Sequence, residues 1–308
     1  MKTDIQPNDN VSSQIQEILH NRLDACRQAL QNTDPHAGIH EARKQLKKIR
    51  AIVRLVRDDI PKKEYQRSNI YFRDVGRLLS DARDTSALLE VSMTLHDNVN
   101  DASLKALLER VMHHLMAKKS AVTRYQIHQN HLLKHTLEAL ASAEEYVQNL
   151  QTERHGFNAL SASIERVYKR GKLMMEESAS HPSPENYHEW RKRVKYLRYQ
   201  LNAITPIWPS MMETLEDELH ELTDALGTDH DFYVLHQTIL TSNLNDQDDW
   251  MPLFHFIATQ RKRYETKAFH LGTKLYCWKP SQFTNWLQTS WKTSQAETIS
   301  QEESLIAV

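Results

Sequence analysis

The segment His40-Glu41-Ala42-Arg43-Lys44-Gln45-Leu46-Lys47-Lys48-Ile49-Arg50 returns 148 residues later as His188-Glu189-Trp190-Arg191-Lys192-Arg193-Val194-Lys195-Tyr196-Leu197-Arg198. Six identities in the pattern H-E-x-R-K-x-x-K-x-x-R mean that the fold must build the same basic helix twice. The repeat extends downstream. Asp84 follows His40 by 44 residues, and Asp231 follows His188 by 43. Each aspartate has a short polar residue three positions earlier, Asp81 and Thr228. That is the spacing of a capping box, with Asp in place of the usual Glu or Gln. Each half therefore reads as basic helix, loop, helix, capped turn, helix.

Helical periodicity runs along the whole chain, and six glycines and nine prolines in 308 residues leave few breaks. Helices are predicted over 11–31, 36–58, 62–79, 82–96, 101–128 and 131–150. A second set is predicted over 153–179, 185–204, 209–226, 229–243, 249–277 and 281–293. The expected class is all-α: two four-helix-bundle-like halves related by a pseudo-twofold axis, forming one compact domain. That domain spans 11–293, with halves at about 11–150 and 153–293. Residues 1–10 and the polar, acidic 294–308 are expected to be flexible termini.

At about 100° per residue, His40, Arg43, Lys47, Arg50 and Arg54 fall within about 80° of one another. Ala42, Leu46, Ile49, Val53 and Val56 fill the adjacent arc. The cationic row therefore borders the core rather than lying opposite it. His188, Arg191, Lys195 and Arg198 make the same row in the second copy. Like charges at these spacings repel, and almost no acid lies within either helix. An external anion is the natural counter-charge, and a row of roughly 20 Å suits an extended polymer better than one phosphate. The plainer alternative is a solvated face, or pairing with acids elsewhere. Exact repetition argues against both.

Net charge is −1, so an anion site must come from local segregation. Residues 40–57 carry seven Lys/Arg against one Glu, whereas 213–231 carry eight Asp/Glu and no Lys/Arg. Smaller basic clusters at Lys118-Lys119 with Arg124, at Arg166, Lys169, Arg170 and Lys172, and at Arg261-Lys262-Arg263 could join the rows. Cys26 and Cys277 stand far apart, which points to free thiols in a reducing cytoplasm. No apolar run is long enough to span a membrane.

The paired H-x-x-R-x-x-x-K-x-x-R helices, each followed by Arg83-Asp84 or its degenerate copy His230-Asp231, resemble the CHAD family, the conserved histidine α-helical domain. The resemblance covers roughly residues 11–293. It implies two four-helix bundles about a pseudo-twofold axis, a basic surface or pore, and non-catalytic binding of inorganic polyphosphate, with association with polyphosphate granules in many members. By position it carries over His40, Arg43, Lys47 and Arg50 in the first half, and His188, Arg191, Lys195 and Arg198 in the second. Arg83 and Asp84 match the family's Arg-Asp turn. Adding neighbouring cations, the candidate polyphosphate contacts are those residues with Lys44, Arg54, Lys119, Arg166, Arg170 and Lys192. Many relatives carry a triphosphate tunnel domain marked by an E-x-E-x-K strand. Glu216-Asp217-Glu218 lacks the lysine, so the chain reads as a stand-alone binding domain.

Other signals lead elsewhere. His40-Glu41 and His188-Glu189 begin like the zinc motif H-E-x-x-H, but Lys44 and Lys192 take the last position. No cofactor or metal is expected. Two alternatives remain. One is a hydrolase or kinase acting on polyphosphate or phosphate esters, with a metal at Asp84 and Asp231. The other is a nucleic-acid-binding protein, which would need aromatics interleaved with the cations. The first row has none. Tyr196 and Tyr199 lie at angles apart from the second.

Overall fold

In the computed structural model, which describes residues 4–242, 244 and 249–306, every regular element is helical. α1 (Val11–Ala29), α2 (Pro35–Leu55), α3 (Lys62–Leu78), α4 (Ser80–Asn98) and α5 (Ala102–Val122) build the first half. A π-helical turn (Thr123–Gln129), α6 (Leu132–Ala141) and α7 (Ala143–Gln148) lead to the second. There α8 (Asn158–Ser180), α9 (Pro184–Asn202), α10 (Pro209–Thr241) and α11 (Met251–Leu275) repeat the order of helices, and α12 (Pro280–Ile306) closes the chain. α10 answers the α3–α4 pair as one continuous helix.

The two basic helices start by the same device. Asp34 caps α2 by accepting from the backbone N–H groups of His36 and Ala37, and Pro35 takes the first helical position. Ser183 caps α9 by accepting from Asn186 N–H, with Pro184 in the same place. Such a cap satisfies orphan N–H groups and contributes about 1 kcal/mol, and proline loses nothing where no N–H partner exists.

Three expectations fail. α10 runs through 226–229 without a break. Gly227 lies within the helix rather than ending it, with the Arg191 guanidinium of α9 packed beside it, 2.8 Å from where a Cβ would stand. The capping boxes fail with it. Thr228 and Asp231 sit within α10, and α4 has Leu79 at its N-cap and no side-chain cap. Asp81 accepts instead from Gln126 Nε2 at 3.3 Å. Residues 1–3 and 307–308 of the expected flexible termini lie outside the described residues, and the described parts make more contacts than their composition suggests. Ile5 is fully buried and donates its N–H to Ala203 O at 2.7 Å. Gln295 Nε2 donates to Pro7 O at 2.8 Å, tying α12 to the opening segment.

Two apolar cores hold the molecule, and both draw on both halves. The larger gathers Ile39, Ala42, Leu46 and Ile49 of α2 with Trp190, Val194 and Leu197 of α9, together with α1, α3, α8 and α12. The smaller joins Leu88 and Leu95 of α4 and Leu108 and Val111 of α5 to Phe232 and Leu235 of α10 and Leu253 of α11. Trp190 is sealed in, its ring 5.3 Å from Phe269 and pressed against Gly272, where a Cβ would come within 2.6 Å. Trp250 and Trp291 are core residues, while Trp278 is partly exposed beside Trp286. Cys26 is a buried free thiol and Cys277 an exposed one. No helix among the described residues is long and apolar enough to cross a membrane.

Candidate functional site

α2 and α9 pack against each other at the centre, so their basic faces meet. Between α2, α3 and α9 opens a cavity of about 350 Å³. Eight cations line it: Arg43, Lys47, Arg50 and Arg54 from α2, Arg73 and Arg77 from α3, and Lys192 and Arg193 from α9. No carboxylate stands in its wall. Leu46 and Phe72 form the apolar floor, and Tyr196 the far side. Beyond Tyr196 the surface continues into a smaller cavity that shares Arg54, Arg193 and Tyr196 and adds Arg57, Arg166 and Arg170.

Each cation is placed by the helix geometry that the sequence encodes. Arg43 reaches back to the α3–α4 junction, donating to Gly76 O at 3.2 Å and Ser80 Oγ at 2.8 Å. Its Nη2 lies 3.7 Å from Asp84. Arg54 lies over the Tyr196 ring at 4.3 Å, a cation–π contact between the two halves. Lys47 stands open in the cavity, yet its pKa is pushed down to about 8. Desolvation by the surrounding walls is the main cause, and the charges of Arg43, Arg191 and Arg83 add to it. Arg43, Arg50 and Arg193 are also held below the ordinary guanidinium range, again by burial first. The Nε groups of Arg43, Arg50 and Arg193 are buried without a hydrogen-bond partner. Buried donors left unpaired cost free energy, and crowded cations repel. An anion entering the cavity relieves both.

The rows are only partly on this cavity. Arg191, Lys195 and Arg198 of the second row do not line it. Arg191 packs at Gly227, with Nη1 4.0 Å from Asp231. Lys195 is held well below the lysine range by burial, with Arg191 and Lys47 adding repulsion. Arg198 is tied to Glu216, Nε to Oε1 at 2.7 Å. His188 packs against His230 with the rings tilted and their centroids 4.5 Å apart, and its Nδ1 is unpartnered. Burial and the neighbouring cations push His230 down to about 3. His40 is exposed, with its pKa lowered by desolvation and by Arg83.

Several candidates already hold an acid. Lys44 pairs with Glu41 at 2.5 Å, and Lys192 pairs with Glu189, the same contact in both copies. Arg83 forks onto Glu90 with both bonds at 2.9 Å. Arg166 forks onto Asp58 with both at 2.8 Å. Lys119 lies apart from the cavity, near His36, which the π-helical turn holds through Thr123 Oγ1 at 2.8 Å. Asp84 and Asp231 are ion-pair partners of the basic rows. Among the described residues, no group of three or more His, Cys, Asp or Glu is placed to hold a metal.

Sequence reasoning passed over Arg73, Arg77, Arg193 and Arg57. Arg73 and Arg77 stand one turn apart on α3, a detectable spacing, but Asp74 between them binds both and masks the run. Tyr196 is off the second row, as its wheel angle indicates, but it joins the first row across the α2–α9 contact.

The CHAD domain profile matches residues 13–240. Among solved structures, the chain is similar to the crystal structure of the CHAD domain from the plant Ricinus communis. That likeness has a TM-score of 0.58 at 15% identity and covers 90% of this chain and 94% of the other. A search of curated proteins finds no match.

Proposed function

This chain belongs to the CHAD domain family, and from that premise we propose that it binds inorganic polyphosphate without hydrolysing it. The family is associated with polyphosphate binding in general. The observation that carries the reading is the wall of eight cations with no carboxylate. Arg43 to Arg54 covers about 16 Å along α2 at 1.5 Å per residue, which fits consecutive units of a linear anion better than one compact phosphate. Arg43 and Arg50 keep a buried Nε without a partner, so neither guanidinium is fully satisfied within the fold, whereas Arg193 already donates Nη2 to Glu189 at 2.9 Å. On this reading the protein associates with polyphosphate granules in cells, as many members of the resembled family do. The test is a titration with polyphosphate of several lengths against pyrophosphate and DNA at two salt concentrations. Affinity should rise with chain length and fall with salt as counterions are released, with no orthophosphate freed. Steady metal-dependent release of orthophosphate would favour the hydrolase reading.

The nucleic-acid reading gains one observation, Tyr196 beside the cations. However, the Arg54 guanidinium lies over that ring, which leaves less of it for a base to stack on. Excess DNA is therefore expected not to displace bound polyphosphate.

A further inference from the structure

The two halves repeat the anion-binding elements but treat them differently. With the offsets of 148 in the basic helix and 147 in the helix after it, each wall residue of the open cavity has a counterpart. The geometry supports this register. Arg43 packs at Ser80, and its counterpart Arg191 packs at Gly227, the counterpart of Ser80. Arg43 faces Asp84 as Arg191 faces Asp231.

One pair breaks the pattern. Arg50 corresponds to Arg198, and Asn69 corresponds to Glu216. In the second half Glu216 holds Arg198 at 2.7 Å, with only 16% of the arginine and 22% of the glutamate side chain exposed. In the first half Arg50 Nε is buried without a partner, and so is Asn69 Oδ1. The surroundings differ in the same sense. Arg54 is answered by Asn202, and Arg77 by Asp224.

We propose that Glu216 is a built-in anion that occupies the second copy of the site, so that polyphosphate binds on the first face alone. At the corresponding first-half position the neutral Asn69 supplies no carboxylate to Arg50. This rests on the polyphosphate reading above and deepens it. A carboxylate bidding for one guanidinium fork stands where a phosphate oxygen would otherwise sit. The same sequence motif therefore yields one open site and one self-satisfied site, with Asn69 or Glu216 beside the arginine and the Arg54/Asn202 and Arg77/Asp224 differences acting in the same sense.

The experiment is a charge swap read by polyphosphate titration across salt, with circular dichroism to confirm helicity. Glu216→Gln should bind at least as tightly as wild type, with a salt slope steeper by about one released counterion. Asn69→Glu should lose about tenfold in affinity or more, whereas Asn69→Gln should stay near wild type. In wild type, Arg198→Ala should leave affinity within about twofold, and Arg50→Ala should not. In the double variant Asn69→Glu with Glu216→Asn, that dependence should reverse, with Arg198 now required. Wild-type binding that depends equally on Arg50 and Arg198, or a folded Glu216→Gln with an unchanged slope, would overturn the one-sided site while leaving polyphosphate binding intact. A wild-type chain that binds no polyphosphate would overturn both.

Discussion

Arg54 of α2 lies 4.3 Å over the ring of Tyr196 of α9, so an arginine of one half is seated on an aromatic of the other. The contact fixes the far end of the cationic row and forms the junction with the smaller cavity beyond it. Removing the ring frees a guanidinium that is otherwise oriented. Tyr196→Leu should cost about 0.5–1 kcal/mol of stability and lower polyphosphate affinity several-fold. Tyr196→Phe should keep both, because the ring face is retained. Thermal unfolding and titration on the same samples separate the two effects.

Arg43 and Arg50 are the cavity cations with unpartnered Nε groups on the α2 row. Charge-assisted hydrogen bonds contribute about 1.5–3 kcal/mol each. The double variant Arg43→Glu with Arg50→Glu should therefore bind polyphosphate at least about 100-fold more weakly at low salt. Helical content should hold, since neither residue is part of the apolar core. Binding at wild-type strength by the folded double variant would remove the site assignment.

Lys47, with its pKa pushed to about 8, makes binding pH-dependent. A bound polyanion favours the ammonium, so binding takes up a proton when the free chain has lost it. Affinity should be full below about pH 8 and fall as the pH rises through that value. In the free protein the sign is opposite: the unfolded lysine keeps its proton to a higher pH. Between about 8 and the ordinary lysine value the unfolded state binds more protons, and stability rises with pH. Calorimetry in buffers of different ionisation enthalpy should show proton uptake above pH 8, and Lys47→Met should abolish it.

His230 makes the chain acid-sensitive. It stays neutral in the fold down to about 3, while the unfolded residue protonates near its ordinary value. The unfolded state therefore binds more protons between the two, and stability falls as pH drops through about 6.5 towards 3. His230→Gln should flatten that limb of the pH–stability curve. An unchanged limb would show that other groups control it.

Gly38 sets the α1–α2 approach. A Cβ there would lie 2.3 Å from the carbonyl oxygen of Ala29, a backbone atom that cannot swing aside. Gly38→Ala should destabilise the protein by at least about 1–3 kcal/mol, measured by chemical denaturation, and weaken polyphosphate binding because α2 must move.

How far these features can be read from sequence depends on the range of the interaction. The basic rows were legible because they lie within single helices, where 3.6-residue periodicity fixes which side chains align. The starts of α2 and α9 were legible because Asp34-Pro35 and Ser183-Pro184 are local signals. Arg198 was not, because its fate rests on Glu216 on another helix. Arg193 was missed for a similar reason: viewed on α9 alone it leaves the row, and only the crossing with α2 brings it to the cavity. At Gly227 the local reading misled. Glycine before Thr228 and Asp229 resembles a helix stop and restart, yet the helix runs on through it with the Arg191 guanidinium packed alongside.

The two apolar cores have a consequence for biosynthesis. Each is assembled from segments on both sides of residue 150. A nascent chain that has released only α1 to α7 from the ribosome presents the inner faces of α2, α4 and α5 with their partners still unsynthesised. Hydrophobic surface must stay protected until α8 to α11 emerge, so productive collapse waits for most of the chain. Cutting the gene at the internal repeat boundary therefore yields two sticky fragments rather than two small proteins, even though the repeat itself suggests a clean place to divide them.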